Sequence, residues 1–106
     1  MSHYKLTSGA RATLVDIYVY THNTWGLQQA DTYLEGFYGC FEDIAAKRVL
    51  WRPIPSEYEV EGFFTRYEKH LIYWRHIGDG ELFIVAILHT SMLQHERLKQ
   101  AFSPSE

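Results

Sequence analysis

The chain has 106 residues, 46% of them hydrophobic and 16% aromatic, with ten Lys and Arg against thirteen Asp and Glu for a net charge of −3. That length supports one hydrophobic core, and the apolar share excludes an intrinsically disordered chain. The acidic balance weighs against a free-standing nucleic-acid binder, which needs a basic stripe, and the single cysteine, Cys40, excludes an internal disulfide and a cysteine-based metal framework.

Cys40 itself reads as a small buried apolar side chain on a helix. No basic start followed by an apolar run marks a signal peptide, and no uncharged apolar stretch is long enough to span a bilayer. A cytoplasmic protein with no membrane contact is the expectation.

In chain order, His3 to Thr7 reads as an edge strand, and Thr7 or Ser8 then caps a helix through its hydroxyl. Along that helix Ala10, Leu14, Ile17, Tyr18, Thr21 and Trp25 recur at helical spacing and share one face. Thr13, Val15, Ile17, Val19 and Thr21 also alternate as a strand would, yet the intervening Leu14, Tyr18 and Tyr20 are not polar, so a helix is expected. Val15 and Val19 fall off its main stripe and offer a minor contact surface. Gly26 stops this helix, and a second runs from about Leu27 to Ala46 on Leu27, Ala30, Leu34, Phe37, Phe41 and Ile44.

Lys47 to Glu61, with Pro53 and Pro55, is the longest irregular stretch; Glu57, Glu59 and Glu61 alternate with Tyr58 and Val60 as in a half-buried edge segment. Phe63 to Tyr67 and His70 to Ile77 read as strands joined at Glu68-Lys69. Gly78-Asp79-Gly80 is a hairpin turn leading to an unbroken apolar strand, Leu82 to Leu88. His89 to Leu98 closes the fold as a short helix. These elements make one domain over residues 1–98, followed by a solvated C-terminal tail over residues 99–106.

The last two strands carry a physical conflict. Leu71, Tyr73 and Arg75 alternate with Ile72, Trp74 and His76, and Leu82, Ile84, Ala86 and Leu88 alternate with Phe83, Val85 and Ile87. An antiparallel sheet with helices on one face normally turns its other face polar. Both faces here are apolar, and an open apolar patch of more than a few hundred Å² usually marks an interaction site. The expectation is therefore a partner protein covering the second face, with Arg66, Arg75 and Arg97 as a cationic rim for acidic groups.

Dedicated chemistry is sparse. The histidines at 3, 22, 70, 76, 89 and 95 show no His-Glu-x-x-His spacing, and no phosphate loop or nucleophile elbow is present, so no cofactor, metal or catalytic residue is assigned. His70 and His89 occupy opposite ends of adjacent strands and fit a structural hydrogen-bonding role better than acid–base work. A sharper alternative is RNA cleavage, with His89 as acid or base and the three arginines stabilising phosphate.

The ordered set of motifs resembles the ParE branch of the ParE/RelE toxin superfamily of bacterial type II toxin–antitoxin systems. It comprises Tyr4-x-Leu6-Thr7, Asp16-Ile17-Tyr18-x-Tyr20-Thr21, Trp25-Gly26-x-x-Gln29-Ala30-x-x-Tyr33 and Phe41-x-x-Ile44-Ala45. Arg66, His70-Leu71-Ile72-Tyr73 and Ile87-Leu88-His89-x-x-Met92-x-x-x-x-Arg97-Leu98 complete it. The resemblance implies an α+β fold, a helical hairpin on a three- to four-stranded antiparallel sheet. It also implies a ParD-like antitoxin whose C-terminal segment wraps the toxin and through which alone operator DNA is contacted. Ile72, Trp74, Val85, Ile87 and Met92 would then form the antitoxin-binding surface, rimmed by Arg66, Arg75 and Arg97.

ParE-like proteins are described as poisoning DNA gyrase, whereas RelE-like relatives cut ribosome-bound messenger RNA with basic residues and a C-terminal tyrosine or histidine. This chain lacks the basic cluster and has no tyrosine after its last strand, which favours gyrase inhibition by binding over RNA cleavage. A third reading is a non-toxic homologue serving only in operon autorepression. Ala86, Leu93 and Lys47-Arg48-Val49 depart from the residues common in the family at those places.

Overall fold

The computed structural model describes residues 4–78 and 80–102. His3 of the expected first strand, Asp79 of the expected hairpin turn and residues 103–106 of the expected tail lie outside these residues.

Strand β1 (Tyr4–Leu6) leads through Thr7 into helix α1 (Ser8–Trp25). Thr7 is the cap: its Oγ1 accepts the Ala10 N–H at 3.1 Å, satisfying an amide that has no partner within the first helical turn. Gly26 then ends α1 and starts α2 (Leu27–Ala45) in a single residue. Its φ of +98° is closed to most side chains; its N–H donates to the His22 carbonyl while its own carbonyl accepts from Ala30. The two helices form a hairpin, tied across by the Tyr18 hydroxyl donating to Asp31 at 2.7 Å. The expected apolar stripe of α1 is buried at Ala10, Leu14 and Thr21 but stops short of Trp25, which is 70% exposed.

The chain returns through a short edge strand β2 (Arg52–Pro53), a 3₁₀ turn at Ser56–Tyr58, and then β3 (Phe63–Tyr67), β4 (His70–Gly78) and β5 (Glu81–His89). Helix α3 (Gln94–Ala101) closes the fold, running beyond the expected end at Leu98. The sheet has the order β1-β5-β4-β3-β2. Pairing is antiparallel except between β1 and β5, which run parallel, so the sheet is five-stranded and mixed and not the three- to four-stranded antiparallel sheet expected. Parallel pairing follows from the crossover: the helical hairpin carries the chain over one face before β5 inserts beside β1.

One irregularity decides which side chains face which way. Tyr73 pairs with Ala86 but Trp74 pairs with Ile84, leaving Val85 as the extra residue of a β-bulge. Leu82, Ile84 and Ile87 therefore point at the helices with Ile72 and Trp74, where they meet Leu14, Phe37, Phe41 and Ile44. Ala86 and Leu88 sit on the opposite face with Tyr73. Uniform alternation, which had set Ala86 and Leu88 beside Ile84, fails at this bulge.

The second face is not left for a partner to cover alone. Ile54 from the irregular loop and Leu98 from α3 are buried against Tyr73, Ala86 and Leu88, with Tyr58, Val60, Ala101 and Phe102 packed around them. Leu98 is fully buried, and Ala101 and Phe102 follow it at spacings of three and four on the same helical face. Residues 99–102, expected in the tail, thus continue the packed helix.

Candidate functional site

What the chain leaves uncovered is a groove of about 590 Å³ on the second face, between α3 and the start of α1. Phe83, Val85, Ala86 and Leu88 of β5 supply its apolar floor. One wall is the first turn of α1 at Thr7, Ser8 and Gly9; the other is the last turn of α3, with Ala101 and Phe102. Arg75 and Arg97 line it as well, and among the described residues no carboxylate lines it. The Arg75 guanidinium stands 6.0 Å from the centre of the Phe102 ring, a cation–π arrangement that leaves the charge at the groove mouth.

Several interactions hold this groove in shape. Thr7 Oγ1 donates to the carbonyl of bulged Val85 at 3.1 Å, and the Thr7 N–H donates to Ile84 at 3.1 Å, locking the start of α1 to the bulge. At the other end Gln94 anchors α3: its Nε2 donates to the His89 and Met92 carbonyls, each at 2.9 Å, and its Oε1 accepts from the Tyr73 hydroxyl at 2.7 Å. Burial pushes the Tyr73 phenol up to about 12, so it stays protonated as the donor this contact needs. Tyr58 stacks on His95 at 5.2 Å and buttresses α3 from the loop side.

The residues expected at a partner surface divide sharply. Val85, Arg75 and Arg97 come together in the groove. Ile72 and Ile87 are 0% and 1% exposed in the core under the helices; Ile87 also borders the groove, but its side chain packs in that core, and Ile72 does not reach the groove. Trp74 is in the same core, 3% exposed, and shows only to a small pocket elsewhere. The physical reason is parity: residues pointing at the helices cannot also point at the open face, and the bulge reverses that parity for Ile87. Met92 is 37% exposed, in the turn before α3 and outside the groove lining. Arg66 is exposed and folds back on its own turn, Nε donating to the Glu68 carbonyl at 2.7 Å.

The two histidines form a separate cluster at the far end of β4 and β5. Their rings lie 5.3 Å apart, and His70 Nδ1 shares a 3.1 Å hydrogen bond with the Tyr33 hydroxyl. Burial, reinforced by His89, lowers the His70 imidazole to about 4, so it is neutral near pH 7. His89 Nδ1 accepts the Ser91 N–H at 3.1 Å, which places its own proton on Nε2; the Ser91 hydroxyl lies 2.8 Å from the same nitrogen. Arg75 pairs with Phe83, six residues along β5 from His89, a separation of roughly 20 Å at about 3.3 Å per residue. His89 and Arg75 therefore do not converge on one scissile phosphate. Burial and Asp43 push the Cys40 thiol up to about 11, which keeps it unreactive. Among the described residues no group of three or more His, Cys, Asp and Glu is placed to hold a metal ion, and no helix is long and apolar enough to cross a membrane.

Sequence reasoning missed Phe83, Phe102 and the Thr7–Gly9 wall. The spacing of Leu98, Ala101 and Phe102 was a readable sign of the longer α3; nothing in the sequence marked the bulge.

With this geometry in view, the comparisons with known proteins are decisive. Residues 4–94 match the family described as the ParE toxin of type II toxin–antitoxin system, parDE. The chain belongs to this family. It is also 28% identical over 93 residues to Toxin ParE1 of Mycobacterium tuberculosis, in strains CDC 1551 / Oshkosh and ATCC 25618 / H37Rv, covering 86% of this chain and 92% of the relative. The matched segment runs from β1 into the first residue of α3 and so includes the whole sheet, the helical hairpin and the bulge. The family is the toxin half of two-protein modules, each paired with an antitoxin, and the α+β fold expected from the motifs is the fold observed.

Proposed function

We propose that the protein is neutralised by a cognate ParD-like antitoxin lying in the groove between α3 and the start of α1, and that when free it inhibits DNA gyrase by binding. The observation carrying this reading is the groove itself: an apolar floor, two arginines and, among the described residues, no carboxylate in its lining. That combination suits an acidic segment with apolar anchor residues, since guanidinium pairs strongly with carboxylate while the anchors bury against Phe83 and Val85. Operator DNA is then reached through the antitoxin, because this chain carries a net charge of −3. The cytoplasm, where gyrase works, is the proposed site of action.

Binding is favoured over RNA cleavage because His89 and Arg75 sit at opposite ends of the paired strands β4 and β5. The test is expression without the antitoxin, followed by a gyrase supercoiling assay beside translation of a reporter RNA. Lost supercoiling with intact reporter RNA is expected. RNA cut in ribosomes with supercoiling intact would overturn the gyrase reading, and unimpaired growth would point to operon autorepression alone. The groove is tested separately, with the product of the adjacent reading frame as partner. Arg75→Ala and Arg97→Ala are each expected to weaken that complex by about 1–2 kcal/mol. Unchanged affinity in the double variant refutes the groove assignment without touching the gyrase result.

A further inference from the structure

A second concavity lies on the opposite side of the sheet from the groove, where the C-terminal turn of α2 meets the edge of β3 and β4. It encloses about 200 Å³. Four rings shape it: Trp74 at the floor, 3% exposed; Trp51, 53% exposed; Phe63 between them; and His76 beside Phe63. The Trp51 and Phe63 rings meet edge to face at 5.0 Å, Phe63 and Trp74 at 6.2 Å, and Phe63 and His76 at 5.5 Å. Ile44 and Val49 complete the apolar lining, and among the described residues Lys47 is its one ammonium.

Lys47 holds a left-handed backbone, φ +61°, which favours glycine. Its turn is pinned by the Lys47 N–H donating to Ile44 and the Arg48 N–H to Asp43, and by an Arg48–Asp43 ion pair at 2.8 Å. The lysine is therefore carried on a fixed turn beside the rings. Pockets for drug-sized ligands run to about 300–1,000 Å³, so this one accepts a single ring system with a small substituent. Aromatic walls favour a planar ring stacked on them. An aromatic cage without other charge would suit a quaternary cation, but Lys47 reverses that preference by repelling cations and pairing with an anion.

We infer that this pocket is a binding site for a small planar aromatic molecule bearing an anionic group, stacked on Trp51 with its edge against Phe63 and its charge at Lys47. The site is independent of the groove and of the gyrase reading, and refuting one leaves the other standing.

The test uses the full chain carrying Trp25→Phe, which removes the exposed indole at the far end of the hairpin, roughly 27 Å away at about 1.5 Å per helical residue. The remaining indole N–H signals, Trp51 and Trp74, are followed by NMR against three probes that share a ring and differ in charge. These are 2-naphthoate, 2-naphthylmethanol and 2-naphthylmethylammonium; AMP in a fourth arm separates a nucleotide from an aromatic carboxylate. Saturable shifts of both indole signals are expected with 2-naphthoate and weaker ones with AMP, whose ribose phosphate exceeds a small substituent; the neutral naphthyl probe should bind at least fivefold more weakly than 2-naphthoate and the cation more weakly again. Lys47→Gln should bring 2-naphthoate down to the affinity of the neutral probe and leave the neutral probe unchanged. Trp51→Leu, at a half-exposed position, should weaken every probe. Equal binding of the three naphthyl probes, indifference to Lys47→Gln, or no movement of the Trp51 and Trp74 signals overturns the inference.

Discussion

Thr7 concentrates several functions in one oxygen, and its truncation gives the sharpest test of how the groove is held. Its Oγ1 accepts the Ala10 N–H as the cap of α1 and donates to the carbonyl of bulged Val85, both at 3.1 Å and both partly buried. Losing a threonine cap costs about 1 kcal/mol, with a range of roughly 0.5–2. Losing the second bond removes about 0.5–1.5 kcal/mol more, because the Val85 carbonyl forfeits that donor. Thr7→Ala should therefore destabilise the fold by about 2 kcal/mol, which for a domain of this size lowers Tm by roughly 8–16 °C. Thr7→Ser keeps the hydroxyl and should cost well under half as much. Thermal melts followed by circular dichroism, with calorimetry to confirm a two-state transition, measure both variants. The reasoning is refuted if Thr7→Ala melts within 2 °C of the wild type, or if serine proves as damaging as alanine.

Other outcomes follow from the packing. A Cβ at Gly36 would overlap the Tyr67 hydroxyl, so Gly36→Ala should destabilise by about 1–2 kcal/mol despite its better helix propensity, and Tyr67→Phe in the same chain should recover part of the loss, both read from urea midpoints. His70 is lowered to about 4 in the fold against 6.5 in the unfolded chain, so the unfolded state takes up the proton first as pH falls. Stability from this group is complete above pH 6.5 and is lost on descending towards pH 4; solvent screening at this half-buried site trims the ideal effect of about 3 kcal/mol to roughly 1–2, and His70→Gln should flatten that part of the stability–pH curve. Ile72→Ala should cost about 2–5 kcal/mol of stability through a cavity while leaving the affinity of the folded protein for its antitoxin unchanged, which calorimetry on both quantities would show.

The helical hairpin was legible because its signals are local. Thr7 as cap, Gly26 as junction and the stripe Ala30, Phe37, Phe41, Ile44 each depend on neighbours within a turn or two, and all four stripe residues are buried. Trp25 and Leu27 fit the same periodicity yet are 70% and 58% exposed, since they flank the junction where the helices run past the sheet. Periodicity reports which way a side chain points and says nothing of whether anything waits there. Strand β1 illustrates the complementary limit: three residues carry too little pattern to reveal that they pair in parallel with a segment nearly eighty residues later.

The bulge at Val85 explains both the misread surface and the groove. Every residue from Leu82 to Leu88 is apolar, so hydrophobicity alone tolerates either assignment of β5 to the two faces. Without the extra residue, Ala86 and Leu88 would press on the helices and Ile87 would face outward, as uniform alternation implied. The choice is made by contacts remote in sequence: Thr7 on the Val85 carbonyl, Leu98 over Ala86 and Leu88, and Gln94 holding Tyr73. The exchange has a steric logic as well. It puts bulky Ile87 into the wider core beneath the hairpin and leaves small Ala86 where α3 must approach closely. With α3 settled over Ala86 and Leu88, what is left of the second face narrows to the groove floored by Phe83, Val85, Ala86 and Leu88, beside the two arginines. The proposed docking surface thus needs no large exposed patch; the inserted residue and α3 together confine the open strip beside Arg75 and Arg97.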